Sequence, residues 1–160
     1  MKRACIAAAL GILGFLTAAC DGSPSALVMG ASSITTPSGQ LSPTPIVLTP
    51  FGGIACPGGF GFGASFNLFI TAGINDLTLD HVTLHLIDGT NVGGPEITIP
   101  TQDLVRQSNN VFIRAGTTRA FAVNPGFGCV AGHPLALHGN VFLFDRHGLS
   151  HTVVLESRIQ

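Results

Sequence analysis

The sequence predicts an all-β fold, an antiparallel sandwich of about 7–8 strands. Three observations carry that expectation. Short runs of alternating or β-branched apolar residues recur from Pro45 onward, each closed by Gly, Pro, Asn or Asp. Apolar residues at helical spacing are nearly absent. The composition is 46% apolar and only 9% charged, with 21 Gly and 10 Pro. That balance suits one buried core and excludes a coiled coil or a charge-rich disordered chain. A length of 160 residues is room for one domain of ordinary size. A net charge of -1 gives no basis for a nucleic-acid partner.

The chain opens with a short positive start, Met1-Lys2-Arg3, and continues uncharged and apolar from Ala4 to Leu16. Small residues, Thr17-Ala18-Ala19, precede Cys20. These are the parts of a secretory signal helix, residues 1–19. The apolar run is too short to span a bilayer core, which needs about 20 residues. Leu16 to Cys20 resembles the lipobox of bacterial lipoproteins, with Thr17 where that family most often has Leu. The resemblance implies cleavage before Cys20, a diacylglyceryl group on its thiol and a membrane anchor in the bacterial cell envelope, on the periplasmic or surface side. Ordinary cleavage after Ala19, releasing a free protein, is the other outcome for this segment. Loss of Lys2 and Arg3 leaves five basic side chains against eight acidic ones and no Lys. No polybasic stretch remains for anionic headgroups, so membrane attachment rests on the lipid.

Residues 20–44 are rich in Ser, Thr, Pro and Gly and lack apolar periodicity, so they are expected to form a flexible, disordered tether. The sandwich domain is expected over 45–160. Pro45 to Leu48 is its first strand. Phe66, Leu68 and Ile70 alternate in the second. In the third, Val82, Leu84 and Leu86 oppose His81, Thr83 and His85. Glu96 to Ile99, Val111 to Arg114 and Arg119 to Val123 follow, with one helical turn over Thr101 to Arg106. Leu135 to Phe144 and Ser150 to Ser157 close the domain. Asp145-Arg146-His147-Gly148 suits a type I turn with a left-handed Gly bulge. That turn pairs Asp145 with Leu149, Val141 with Val153, Phe142 with Thr152 and His138 with Glu156. The core face is then Leu135, Leu137, Val141 and Leu143 with Val153 and Leu155.

This succession resembles an immunoglobulin-like sandwich. In such a fold the second and penultimate strands start at the same end of the domain. Cys56 and Cys129 precede those strands, in an exported domain where disulfides persist. They are expected to bridge two Gly-rich loops, 51–63 and 125–132. The bridge differs from the immunoglobulin family's central one, and the chain has no Trp to pack on it.

Catalytic signatures are missing. There is no G-x-S-x-G, P-loop or H-E-x-x-H. His81 and His85 share a face but stand about 13 Å apart along one strand. His133, His138, His147 and His151 show no ligand spacing, and Met29 is the only Met of the mature chain. No metal and no cofactor are expected, because no three His or carboxylate positions share a face on this reading. Phe142 and Phe144, with His138 and Asn140, lie opposite the core row and form the candidate partner surface. The sequence therefore reads as a non-catalytic cell-envelope lipoprotein with an immunoglobulin-like binding or structural module, whose partner is a protein or an envelope polymer. An exported enzyme inhibitor with a disulfide-pinned loop is the rival reading, and a hydrolase with an unrecognised site a further one.

Overall fold

The computed structural model describes residues 36–50, 60–90, 94–130 and 133–160, the side chains of 60, 129 and 130 excepted. These residues are mostly strand. In chain order they form β1 (Ser38–Ser42), β2 (Leu48–Pro50), β3 (Phe60–Ala64), β4 (Phe66–Thr71), β5 (Leu77–Asp88) and β6 (Ile97–Pro100). A helix α1 (Thr101–Ser108) follows, then β7 (Phe112–Ile113), β8 (Thr118–Val123), β9 (Gly126–Val130), β10 (Pro134–Asp145) and β11 (Ser150–Arg158). All the strand pairs are antiparallel. The sheets run β1-β4-β8, β11-β10-β5-β6 with β7 also on β5, and β2-β3-β9.

One core joins them. Phe66, Leu68, Ile70 and Phe121 from the first sheet are buried with Leu79, Leu84, Leu86, Leu137, Val141 and Leu143 from the large one. Each such side chain contributes about 1.5–3 kcal/mol by leaving water. The alternation seen in the sequence is therefore what sorts these residues inward. At Gly39 the backbone of β1 comes so close to β11 that a Cβ there would lie 2.8 Å from Leu155 and 2.9 Å from Val153.

The last hairpin has the expected register. Val141 pairs with Val153, Phe142 with Thr152 and His138 with Glu156. The Asp145 N–H donates to the Leu149 carbonyl at 3.0 Å, and Gly148 sits at φ 78°.

Several expectations need correction. The tether does not extend to residue 44, because Ser38–Ser42 is β1, paired with β4 from Ser38↔Thr71 to Ser42↔Asn67. Its only large apolar anchor is the buried Leu41, so no periodicity announces it. Eleven strands stand among the described residues where about 7–8 were expected. Two of the extra ones, β3 and β9, lie in segments expected to be Gly-rich loops. They interleave Gly with Phe and pair with each other, Phe62 opposite Phe127. The expected strand at Pro45 to Leu48 is displaced to Leu48–Pro50, while the buried Ile46 makes a parallel bridge to Ile159. The single helical turn is an eight-residue helix with Leu104 buried beneath it. Its C-terminus is closed by Asn109 at φ 66°, whose N–H donates to the Val105 carbonyl at 2.8 Å.

Leu135 is 56% exposed rather than in the core row. The β5 pairing slips between Pro134 and Ala136, which leaves Leu135 without a partner on β5 and turns it outward. A second irregularity falls in β5. Phe142 pairs with His81 but Leu143 pairs with Leu79, so Asp80 is the extra residue of a bulge. The bulge shifts the alternation by one, and Leu79 and Val82 are therefore both buried. The expected lipid site, Cys20, and one half of the expected bridge, Cys56, lie outside the described residues, as does the side chain of Cys129.

Candidate functional site

The outer face of the large sheet collects the polar and aromatic residues that the alternation turns away from the core. Register places them in rows across the strands. Phe112, Thr78, Phe144 and Ser150 form one row from β7 to β11. The next is Pro100, His81, Phe142 and Thr152, and then Thr98, Thr83, Asn140 and Val154. His85, His138 and Glu156 complete the face on β5, β10 and β11.

All four residues expected to form the partner surface thus lie on this one face. Phe144 is 41% exposed, and Phe142, His138 and Asn140 are half-buried. Phe112, not singled out in the sequence, and Val154, which the hairpin register puts on this face, are 45% and 74% exposed here. The alternation of β11 already marked Val154. Nothing local marked Phe112, because its place depends on a two-residue strand pairing with β5.

Phe142 is not a free ring. The His81 imidazole stacks on it with centroids 4.3 Å apart and planes 15° apart. His81 Nδ1 is 2.7 Å from Asp80 Oδ2, and the Asp80 carbonyl accepts the Thr101 hydroxyl. The bulge at Asp80 thus sets a carboxylate beside the imidazole and aligns the ring over Phe142. Further along the face, His85 and His138 have centroids 5.7 Å apart at 60°. His138 Nε2 is 3.5 Å from Glu156 Oε1.

At the tip of the hairpin the Asp145 carboxylate is buried. It accepts N–H groups from His147 at 2.8 Å and Leu149 at 3.0 Å, and His151 Nε2 lies 3.6 Å away. The Leu149 N–H, opposed by burial and joined by the His147 N–H and the His151 imidazole, holds this carboxyl below its usual range. His151 Nε2 is itself buried without a hydrogen bond. Asp145 is therefore an anchor of the turn.

A cleft of about 490 Å³ lies between β6, α1 and the β8–β9 turn, lined by Thr98, Asp103, Arg106 and Asn124 among others. Its charged and amide groups pair with one another: Arg106 with Asp103, and Asn124 with Gln107. Among the described residues, no hydroxyl hydrogen-bonds to a histidine, which is the contact a Ser-His nucleophile uses.

No protein-family model matches the chain, and no curated protein does either. Among solved structures it is similar to SoR45, a Northeast Structural Genomics Consortium target. The TM-score is 0.53 at 11% identity, over 79% of this chain and 87% of that one. A Bordetella pertussis protein provisionally named ApaA gives a TM-score of 0.48 at 12% identity, over 79% of this chain and 97% of that one. The first likeness is one of fold alone, and the second is too loose to carry an argument.

Proposed function

We propose that this chain is a non-catalytic, lipid-anchored module of the bacterial cell envelope that binds another envelope protein through the outer face of its large sheet. The observation that carries the binding reading is the group of apolar side chains left in water there: Phe112, Phe144 and Val154, beside the stacked Phe142 and His81. Aromatic side chains rimmed by polar groups are the composition of an interaction patch.

The reading includes an immunoglobulin-like arrangement. Strand orders β1-β4-β8 and β11-β10-β5-β6 support it, since that fold has an A-B-E order in one sheet and a G-F-C order in the other, here extended by one further strand. The membrane part of the reading rests on the run from Leu16 to Cys20.

Two measurements test the two halves separately. Mass spectrometry of the mature N-terminus should find an acylated Cys20; an unmodified Cys20 in a freely soluble protein refutes the anchor. Crosslinking in intact envelopes should give a discrete adduct that Phe112→Ser/Phe144→Ser weakens at unchanged melting temperature. An adduct pattern indifferent to that double variant refutes the face.

A further inference from the structure

We propose that the outer face of the large sheet binds a second copy of this chain, sheet to sheet, about a twofold axis that runs along β10. The inference rests on the reading of this face as a protein-binding surface and names its occupant. A surface that binds its own copy about a twofold axis must be complementary to itself. Two sheets packed face to face keep their strands within about 30° of each other and stand about 10 Å apart. With the axis along β10, each row of one face meets the same row of the other. Within a row, residues of β10 then meet themselves, and residues of β5 meet those of β11.

Register decides what that brings together. His85 on β5 and Glu156 on β11 stand one strand to either side of His138. Each His85 therefore faces the Glu156 of the other copy, and the pair occurs twice. Both groups are available for it. Among the described residues, no carboxylate forms an ion pair with His85. The Glu156 side chain is 71% exposed, and its contact with His138 in its own chain is long, at 3.5 Å. An imidazole N–H and a carboxylate meeting across the interface are complementary in charge and in hydrogen bonding.

The other rows match in kind. Phe144 meets Phe144 and Phe142 meets Phe142 on the axis, while Thr78 faces Ser150 and His81 faces Thr152. The exposed ring of Phe144 is thereby covered by its own copy. An axis across the strands instead sets the phenylalanine end of one face on the His85 and Glu156 end of the other, and both matches are lost. The face is four strands wide, about 15 Å between its outer strand axes. That is a small footprint for a specific interface, so the expected dissociation constant in solution is roughly 10–100 μM. Anchoring both copies in one membrane would raise their effective concentration.

Thiol crosslinking of the full-length chain in intact envelopes tests this, with a short bismaleimide whose reach matches a sheet spacing of about 10 Å. The unsubstituted chain gives the background from its own cysteines. Asn140→Cys, on the axis, should yield a linked dimer of two identical chains. Thr98→Cys, on β6, lies about 19 Å across the face from its mate and should yield none. His85→Glu and Glu156→His should each lower the Asn140→Cys dimer severalfold. The two combined in one chain should restore it, because the exchanged pair is again complementary. Melting curves verify that every variant folds. An adduct with a different protein that Phe112→Ser/Phe144→Ser weakens, without an Asn140→Cys dimer, overturns the second copy and leaves the face standing. An adduct pattern indifferent to that double variant overturns the face and this proposal with it. Equal dimer from Asn140→Cys and Thr98→Cys, or a charge exchange that fails to restore the dimer, also overturns the proposal.

Discussion

Gly139 and Gly39 show how one missing atom is required in two ways. A Cβ on Gly139 would lie 2.7 Å from the Thr83 carbonyl oxygen and 2.6 Å from Leu84 Cδ2. The carbonyl belongs to the paired strand β5 and cannot yield, so Gly139→Ala should cost about 1–3 kcal/mol in denaturant unfolding. The Cβ contacts at Gly39 are the far ends of Leu155, Val153 and Ile70. Those ends can rotate, and Gly39→Ala should cost less than Gly139→Ala. Equal costs would show that the two sheets are as rigidly set as the strand pair. Asp145 carries a pH dependence. Its folded-state carboxyl is held below the ordinary 3.8. The stability it contributes is complete above that ordinary value and is lost as pH falls through the depressed one. Melting temperatures followed from pH 7 to pH 2.5 should therefore drop in acid, and Asp145→Asn should flatten that drop while lowering stability at neutral pH.

The β10–β11 hairpin is the element in which local chemistry acts alone. Gly148 has φ 78° and nothing within 4 Å of where a Cβ would stand. Gly148→Ala therefore tests backbone conformation without steric contact, and it should cost about 1–2 kcal/mol. Unfolding in urea checks this, and an unchanged midpoint would mean the turn relaxes freely. The register follows from the same turn, because the Asp145 side chain and backbone together bond to His147, Gly148 and Leu149. Leu135, at the far end of β10, answers to a different rule. Parity along the strand sends it inward, but the slip against β5 sends it out. A strand between two partners obeys the irregularities of both.

At the scale of the whole molecule, the proposed bridge between Cys56 and Cys129 would close a loop of about 74 residues and contribute about 4 kcal/mol. Non-reducing peptide mapping should find the two in one linked fragment, and reduction should lower the denaturation midpoint accordingly. Free thiols at both positions in protein recovered from the envelope would reject it. The outer face has its own large-scale logic. Four strands and the short β7 bring side chains together from positions 78 to 156.

Period-two alternation determined the buried rows of β4 and β11, and those of β5 and β10 away from the bulge at Asp80 and the slip at Leu135, because each apolar side chain left in water costs free energy of the same order wherever the strand lies. Turn chemistry at Asp145 to Gly148 determined the one register that a short loop can fix. The opening residues carried the export reading without any folded structure at all. The chain's sequence did not announce β1, because a strand with one buried anchor, Leu41, has no period to detect. Nor did it announce β3 and β9, whose glycines read as loop until each is set beside the other. The row of His85, His138 and Glu156 belongs to the same class. His138 and Glu156 meet through a local hairpin, whereas His85 joins them only through the pairing of β5 with β10, some fifty residues apart in the chain. Long-range pairing is decided by the shared core beneath the strands and by where each bulge falls, and only the tertiary structure contains that information.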